Sequence, residues 1–86
     1  MSKIEKLFGK IKNNPKNVRF EEIEQLLLDI GFEERQARRG SSHYIFYHEK
    51  LEKNVVIPKP HKDKHVKPIY IKKALIAIEI LERRMD

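Results

Sequence analysis

Apolar positions recur at helical spacing in three stretches of the chain and alternate in one. Ile4, Leu7, Phe8 and Ile11 fall at i, i+3, i+4 and i+7, which predicts an amphipathic helix from Lys3 to about Lys12. Ser2 is placed to cap it, and Asn13-Asn14-Pro15 stops it. Phe20, Ile23, Leu26, Leu27 and Ile30 repeat the same spacing in a second helix. Asn17 is its expected N-cap, with Glu21 and Glu22 in the first turn, where carboxylates suit the positive helix end. Gly31 follows as a left-handed terminator. The last stripe, Ile71, Ala74, Leu75, Ile78 and Leu81, predicts a helix from about Pro68 to Arg84.

Between the second and third stripes the period drops to two. His43-Tyr44-Ile45-Phe46-Tyr47-His48 alternates, with His43, Ile45 and Tyr47 on one face and Tyr44, Phe46 and His48 on the other. A weaker strand is expected over Phe32 to Arg38, then a turn through Arg38 to Ser42. Asn54 to Ile57 predicts a third strand, halted at Pro58. Lys59 to Lys67 is irregular, and Pro60 and Pro68 each push the residue before them toward extended geometry.

The predicted order is an extra helix followed by α-β-β-β-α. A three-stranded antiparallel meander with both helices on one face is an α+β two-layer sandwich. The 86 residues make one domain; the expected division is a helical extension over residues 1–16 and the domain proper over 17–86.

Composition narrows the chemistry. The absence of cysteine excludes disulfides, thiolate zinc sites, iron–sulfur clusters and a cysteine nucleophile. There is no run of 18 apolar residues and no signal-peptide pattern, so the expectation is a soluble cytoplasmic protein without a membrane span. The net charge of +6 is unevenly spread. Lysines crowd residues 1–16 and 59–73, while residues 17–31 are acidic. Clustered cations favour a polyanion partner; the plainer alternative is a solvated lysine face.

One stretch carries a specific signal. Gly40-Ser41-Ser42-His43-Tyr44-Ile45-Phe46 resembles the strand signature of the HicA family, the toxin half of HicA–HicB toxin–antitoxin pairs. Ile23 to Gly31-Phe32 is similar to that family's first helix, and Val56-Ile57-Pro58 to its third strand. The resemblance spans roughly residues 18–82. It implies a double-stranded-RNA-binding-domain-like fold and a ribonuclease that cuts mRNA, arresting translation and growth. It also implies inhibition by a HicB-like antitoxin protein, and it assigns catalysis to the histidine at position 43.

The residues support that chemistry independently. Cleaving RNA at a ribose removes a proton from the 2′-hydroxyl and gives one to the departing 5′-oxygen. An imidazole, titrating near pH 6.5 when unperturbed, serves either step. No metal or other cofactor is required, and none is expected. Ser41 and Ser42 offer hydroxyls and backbone N–H groups beside His43, while Arg38 and Arg39 can neutralise phosphate charge. Lys59, Lys62, Lys64, Lys67 and Lys72 complete the expected RNA-binding set, with His61 and His65 in the same phosphate-contacting segment.

Other readings compete. A strand histidine is often an ordinary half-buried side chain, which would leave a non-catalytic RNA-binding module of the same fold. Ile76, Ala77 and Ile80 make the last helix more apolar than one face requires, and a protein-interaction adaptor would use that surplus. Phe32, Tyr44, Phe46 and Tyr47 are expected mostly in the core, with one tyrosine exposed, rather than as a base-stacking platform. His61 and His65 lie four apart, but without a helix that spacing does not make a metal site.

Overall fold

The structure is a computed structural model that describes residues 3–36, 42–51, 53–61 and 64–84, with residues 3, 4 and 84 described by backbone alone. Four helical elements and three strands follow in order: α1 (Lys3–Asn13), a single 3-10 turn (Pro15–Asn17), α2 (Phe20–Ile30), β1 (Glu33–Gln36), β2 (His43–Tyr47), β3 (Val55–Pro58) and α3 (Pro68–Arg84). The strands form one antiparallel sheet in the order β1-β2-β3. After α1, this is the expected α-β-β-β-α sandwich.

The start of α2 differs from expectation. Asn17 belongs to the 3-10 turn, and the cap is Arg19, in extended geometry. Pro15 fixes the backbone of that turn, so the helix begins at Phe20. The Arg19 N–H donates to Glu22 Oε1 at 3.1 Å, satisfying one of the orphan groups at the helix start. The Lys10 ammonium donates to Glu22 Oε2 at 2.6 Å, tying α1 to α2. Burial pushes the Glu22 carboxyl up, but these two hydrogen bonds and the charges of Lys10 and Arg19 outweigh it and hold it below the usual carboxylate range.

At its other end α2 stops as predicted. Gly31 has φ +118°, its N–H reaches the Leu27 and Leu28 carbonyls, and the Phe32 N–H reaches Leu27 O at 3.0 Å. A side chain at position 31 would be strained by that φ. The turn drops Phe32 into the core and launches β1.

The strand alternation holds. Phe46, Val55 and Ile57 are buried on the sheet's inner face, with Tyr44 half-buried beside them. Tyr44 packs on Phe20 with ring centroids 5.1 Å apart. The core lies between that face and the apolar stripes of α2 (Ile23, Leu26, Leu27) and α3 (Ile71, Ala74, Ile78, Leu81). Among the aromatics, Phe32 and Phe46 are buried and Tyr47 is 42% exposed, stacked under Arg35. The α1 helix contributes Ile11 to the same core. On the sheet's outer face stand His43, Ile45, Tyr47 and Val56, exposed or half-buried.

A candidate nucleic-acid site at the end of the sheet

His43 opens β2 and is paired with Pro58, the last residue of β3. One step beyond that pair, the Lys59 N–H donates to the Ser42 carbonyl at 2.6 Å. The backbone around His43 is therefore held on its β3 side, while its side chain is exposed. The inward neighbour Tyr44 anchors the strand against Phe20. Alternation does the rest: burying Tyr44 and Phe46 obliges His43 to face outward.

The segment after β3 folds back over that end of the sheet. Pro58, Pro60 and Pro68 each fix one backbone angle along it. Val66 nails it down: the side chain is 2% exposed and its N–H donates to the Val18 carbonyl at 2.8 Å. The Lys67 carbonyl accepts from the Tyr70 N–H at 3.0 Å, opening α3.

A cleft of about 410 Å³ results, with His43, His61, Lys64, His65, Lys67 and Tyr70 on its walls. A second cleft of about 400 Å³ adjoins it, lined by Arg19, Phe20, Lys59, His61 and Lys64 among others. The two share Pro60, His61 and Lys64. Lys64 and Lys67 thus stand with His43, His61 and His65 at one end of the molecule, next to Arg19 and Lys59. Such a surface accepts a phosphodiester: ammonium and guanidinium groups meet its charge, and imidazoles meet its protons. Among the described residues, no group of three or more His, Asp or Glu side chains is placed to hold a metal ion.

The expected RNA-binding residues divide three ways. Lys64 and Lys67 share the cleft with His43, and Lys59 lies in the adjoining one with its ammonium 5.5 Å over the Phe20 ring. Ser42 is exposed beside His43, and Lys72 is exposed on α3 but lines neither cleft. Arg38, Arg39, Ser41 and Lys62 lie outside the described residues. Sequence reasoning passed over Arg19 and Tyr70. Arg19 stands in the most acidic stretch of the chain, and Tyr70 carries no motif. His48 is structural: its Nδ1 accepts from the Lys50 N–H at 3.1 Å and its ring meets the Phe32 ring edge-on.

Behind the second cleft lies an acidic contact. Glu24 on α2 meets Glu34 on β1, and hydrogen bonding to Glu34, burial and the Glu34 charge push the Glu24 carboxyl up to about 7, against the pull of Lys59. One oxygen of Glu34, Oε2, is buried without a hydrogen-bond partner among the described residues.

With this geometry in view, similarity to known proteins decides the family. A family model described as HicA toxin of bacterial toxin-antitoxin matches residues 20–80. The chain belongs to the HicA toxins. That match runs from the first residue of α2 almost to the end of α3 and takes in all three strands and the cleft that holds His43. No curated protein and no solved structure matches the chain. As a HicA toxin it is one half of a toxin–antitoxin pair. No described helix is long and apolar enough to cross a membrane.

Proposed function

We propose that this HicA toxin is a metal-independent endoribonuclease that binds and cleaves cytoplasmic mRNA, with His43 as an acid/base catalyst. The observation that carries the reading is the convergence of His43, Lys64 and Lys67 on one open cleft. A histidine sealed in the interior, away from the cations, would have left no room for it. Instead the imidazole is exposed at a strand end whose backbone is paired with the end of β3. Lys64 and Lys67 hold the phosphate, and Arg38, Arg39, Ser41, Ser42, Lys59, Lys62 and Lys72 are the further RNA-binding residues. Residues 17–86 form the active domain, and residues 1–16 are an extension that packs on it through Ile11.

A HicB-like antitoxin holds this activity in check. The partner is a protein, and the toxin offers it an apolar surface. A groove of about 400 Å³ beside β3 and α3 is lined by Val55, Val56, Ile76, Ala77 and Ile80 among others. Ile76 and Ile80 face this groove, 56% and 37% exposed.

The test is inducible expression of the wild type and His43→Ala, reading growth and mRNA integrity. Wild type is expected to stop growth and fragment mRNA, while the variant, equally folded and abundant, does neither. RNA with a 2′-deoxy nucleotide at the scissile position is expected to resist cutting. Undiminished cleavage by the variant rejects His43 as catalyst, and RNA binding without cleavage by the wild type reduces the protein to a binding module.

A further inference from the structure

Cleavage by the 2′-hydroxyl is an in-line displacement, with attacking and leaving oxygens on opposite sides of phosphorus. Two proton transfers are needed, and the groups that make them must stand on opposite walls of the site. His43 comes from β2 and supplies one wall. The segment between β3 and α3 lines the same cleft. There Val66 is turned inward and pinned to Val18, while His65 and Lys67 on either side of it are exposed and line the cleft. His61 is shared between the two clefts, whereas His65 lines only the one that holds His43.

From this juxtaposition we propose that His65 is the second proton-transfer residue of the reaction. The inference rests on the ribonuclease reading and adds its missing partner. One imidazole, neutral at the start, takes the proton of the 2′-hydroxyl as the 2′-oxygen bonds to phosphorus. The other, protonated at the start, gives its proton to the 5′-oxygen as the P–O5′ bond breaks. The products are a 2′,3′-cyclic phosphate end and a 5′-hydroxyl end. The two rings have exchanged protonation states, and water restores them. Lys64 and Lys67 carry the charge of the non-bridging oxygens, and Tyr70 and His61 are the other titratable groups of the cleft among the described residues.

The experiment is single-turnover and steady-state cleavage of a short RNA across pH by wild type, His43→Ala, His65→Ala and His65→Gln, with each melting temperature as a fold check. Wild-type kcat is expected to rise and fall across pH with two limbs. The His65 variants are expected to lose one limb and about 10²-fold or more in kcat, with KM little changed. The same variants are then given RNA whose scissile 5′-oxygen is replaced by sulfur, a leaving group that needs no proton. Rate is expected to return in either the His43 or the His65 variant and not in both. A His65 variant that keeps both limbs and only raises KM shows a phosphate grip and overturns the proposal. Recovery in both variants, or in neither, also overturns it. If His43→Ala is inactive and His65→Ala is not, the nuclease reading survives and this inference falls. If wild type cleaves nothing, both fall.

Discussion

Two clefts lie along the same pair of elements, β3 and α3, and their chemistry is opposite. At the end where β3 leaves the sheet and α3 begins, the walls carry His43, His61, His65, Lys64 and Lys67. Further along, where β3 begins, the walls are Val55, Val56, Ile76, Ala77 and Ile80, with Lys53 and Lys73 at the rim. Strand and helix are common to both. What differs is which residues the alternation of β2 and β3, and the turn of α3, present at each end. A small domain can thereby separate a surface for a charged, hydrated ligand from a surface for an apolar side chain, because neither interaction tolerates the other's lining.

The largest effect should come from the polar cleft. His43→Ala is expected to reduce RNA cleavage by about 10²–10⁴-fold. The side chain is exposed, so the melting temperature and antitoxin binding should stay at wild-type values. A matching loss of antitoxin binding, measured by calorimetry, would mean that the two clefts are not separate.

The reciprocal change is Ile76→Glu in the apolar groove. Ile76 is 56% exposed, so the substitution should cost little stability. If the HicB-like antitoxin seats an apolar side chain there, binding should weaken by about 10–100-fold, the cost of desolvating a carboxylate and losing a buried aliphatic contact. RNA cleavage by the free toxin should be unaltered. Unchanged antitoxin affinity would remove the groove from the interface.

A smaller effect is expected from Lys64→Ala combined with Lys67→Ala. RNA affinity should fall several-fold near 0.1 M salt, and the slope of log K against log salt should flatten by roughly 1.4, about 0.7 per lysine on single-stranded RNA. A salt slope equal to the wild type's would place both ammonium groups off the phosphate path.

How far these clefts were visible in the sequence depends on periodicity. The stripes of α2 and α3 and the two-residue rhythm of His43 to His48 fix their elements, their buried faces and the outward direction of His43, because burial imposes a period. The start of α2 was not legible: Asn17 has the composition of a cap, but Pro15 builds a 3-10 turn through it and passes the role to Arg19. The segment after β3 was not legible either. Residues 59–67 have no period, and what pins the segment beside that cleft is a hydrogen bond from Val66 to Val18, a contact between segments far apart in the chain. The apolar groove was half legible. The surplus at Ile76, Ala77 and Ile80 is plain in the sequence, but its place beside the edge strand β3, rather than under α1, follows from how α3 crosses the sheet.

The smallest effect separates the acid–base chemistry of the polar cleft from the acid–base behaviour of the fold that carries it. Glu24, between α2 and β1, is held at about 7 in the folded protein, against an ordinary value of 4.5. The folded state therefore keeps a proton that the unfolded chain releases, and stability is fullest below about pH 4.5. It is lost as the pH rises through about 7, and levels off above that. Water screens a carboxyl this accessible, so the loss should be about 1 kcal/mol, or roughly 4–8 °C in melting temperature for a domain of this size. Glu24→Gln, which keeps the neutral shape at every pH, should melt above the wild type at pH 8 and level with it at pH 4. A wild-type slope in the variant would show that Glu24 is not its source. The pH dependence of cleavage should be measured in both backgrounds. The limbs due to His43 and its partner should persist in Glu24→Gln, and any part that disappears belongs to the fold rather than to the cleft.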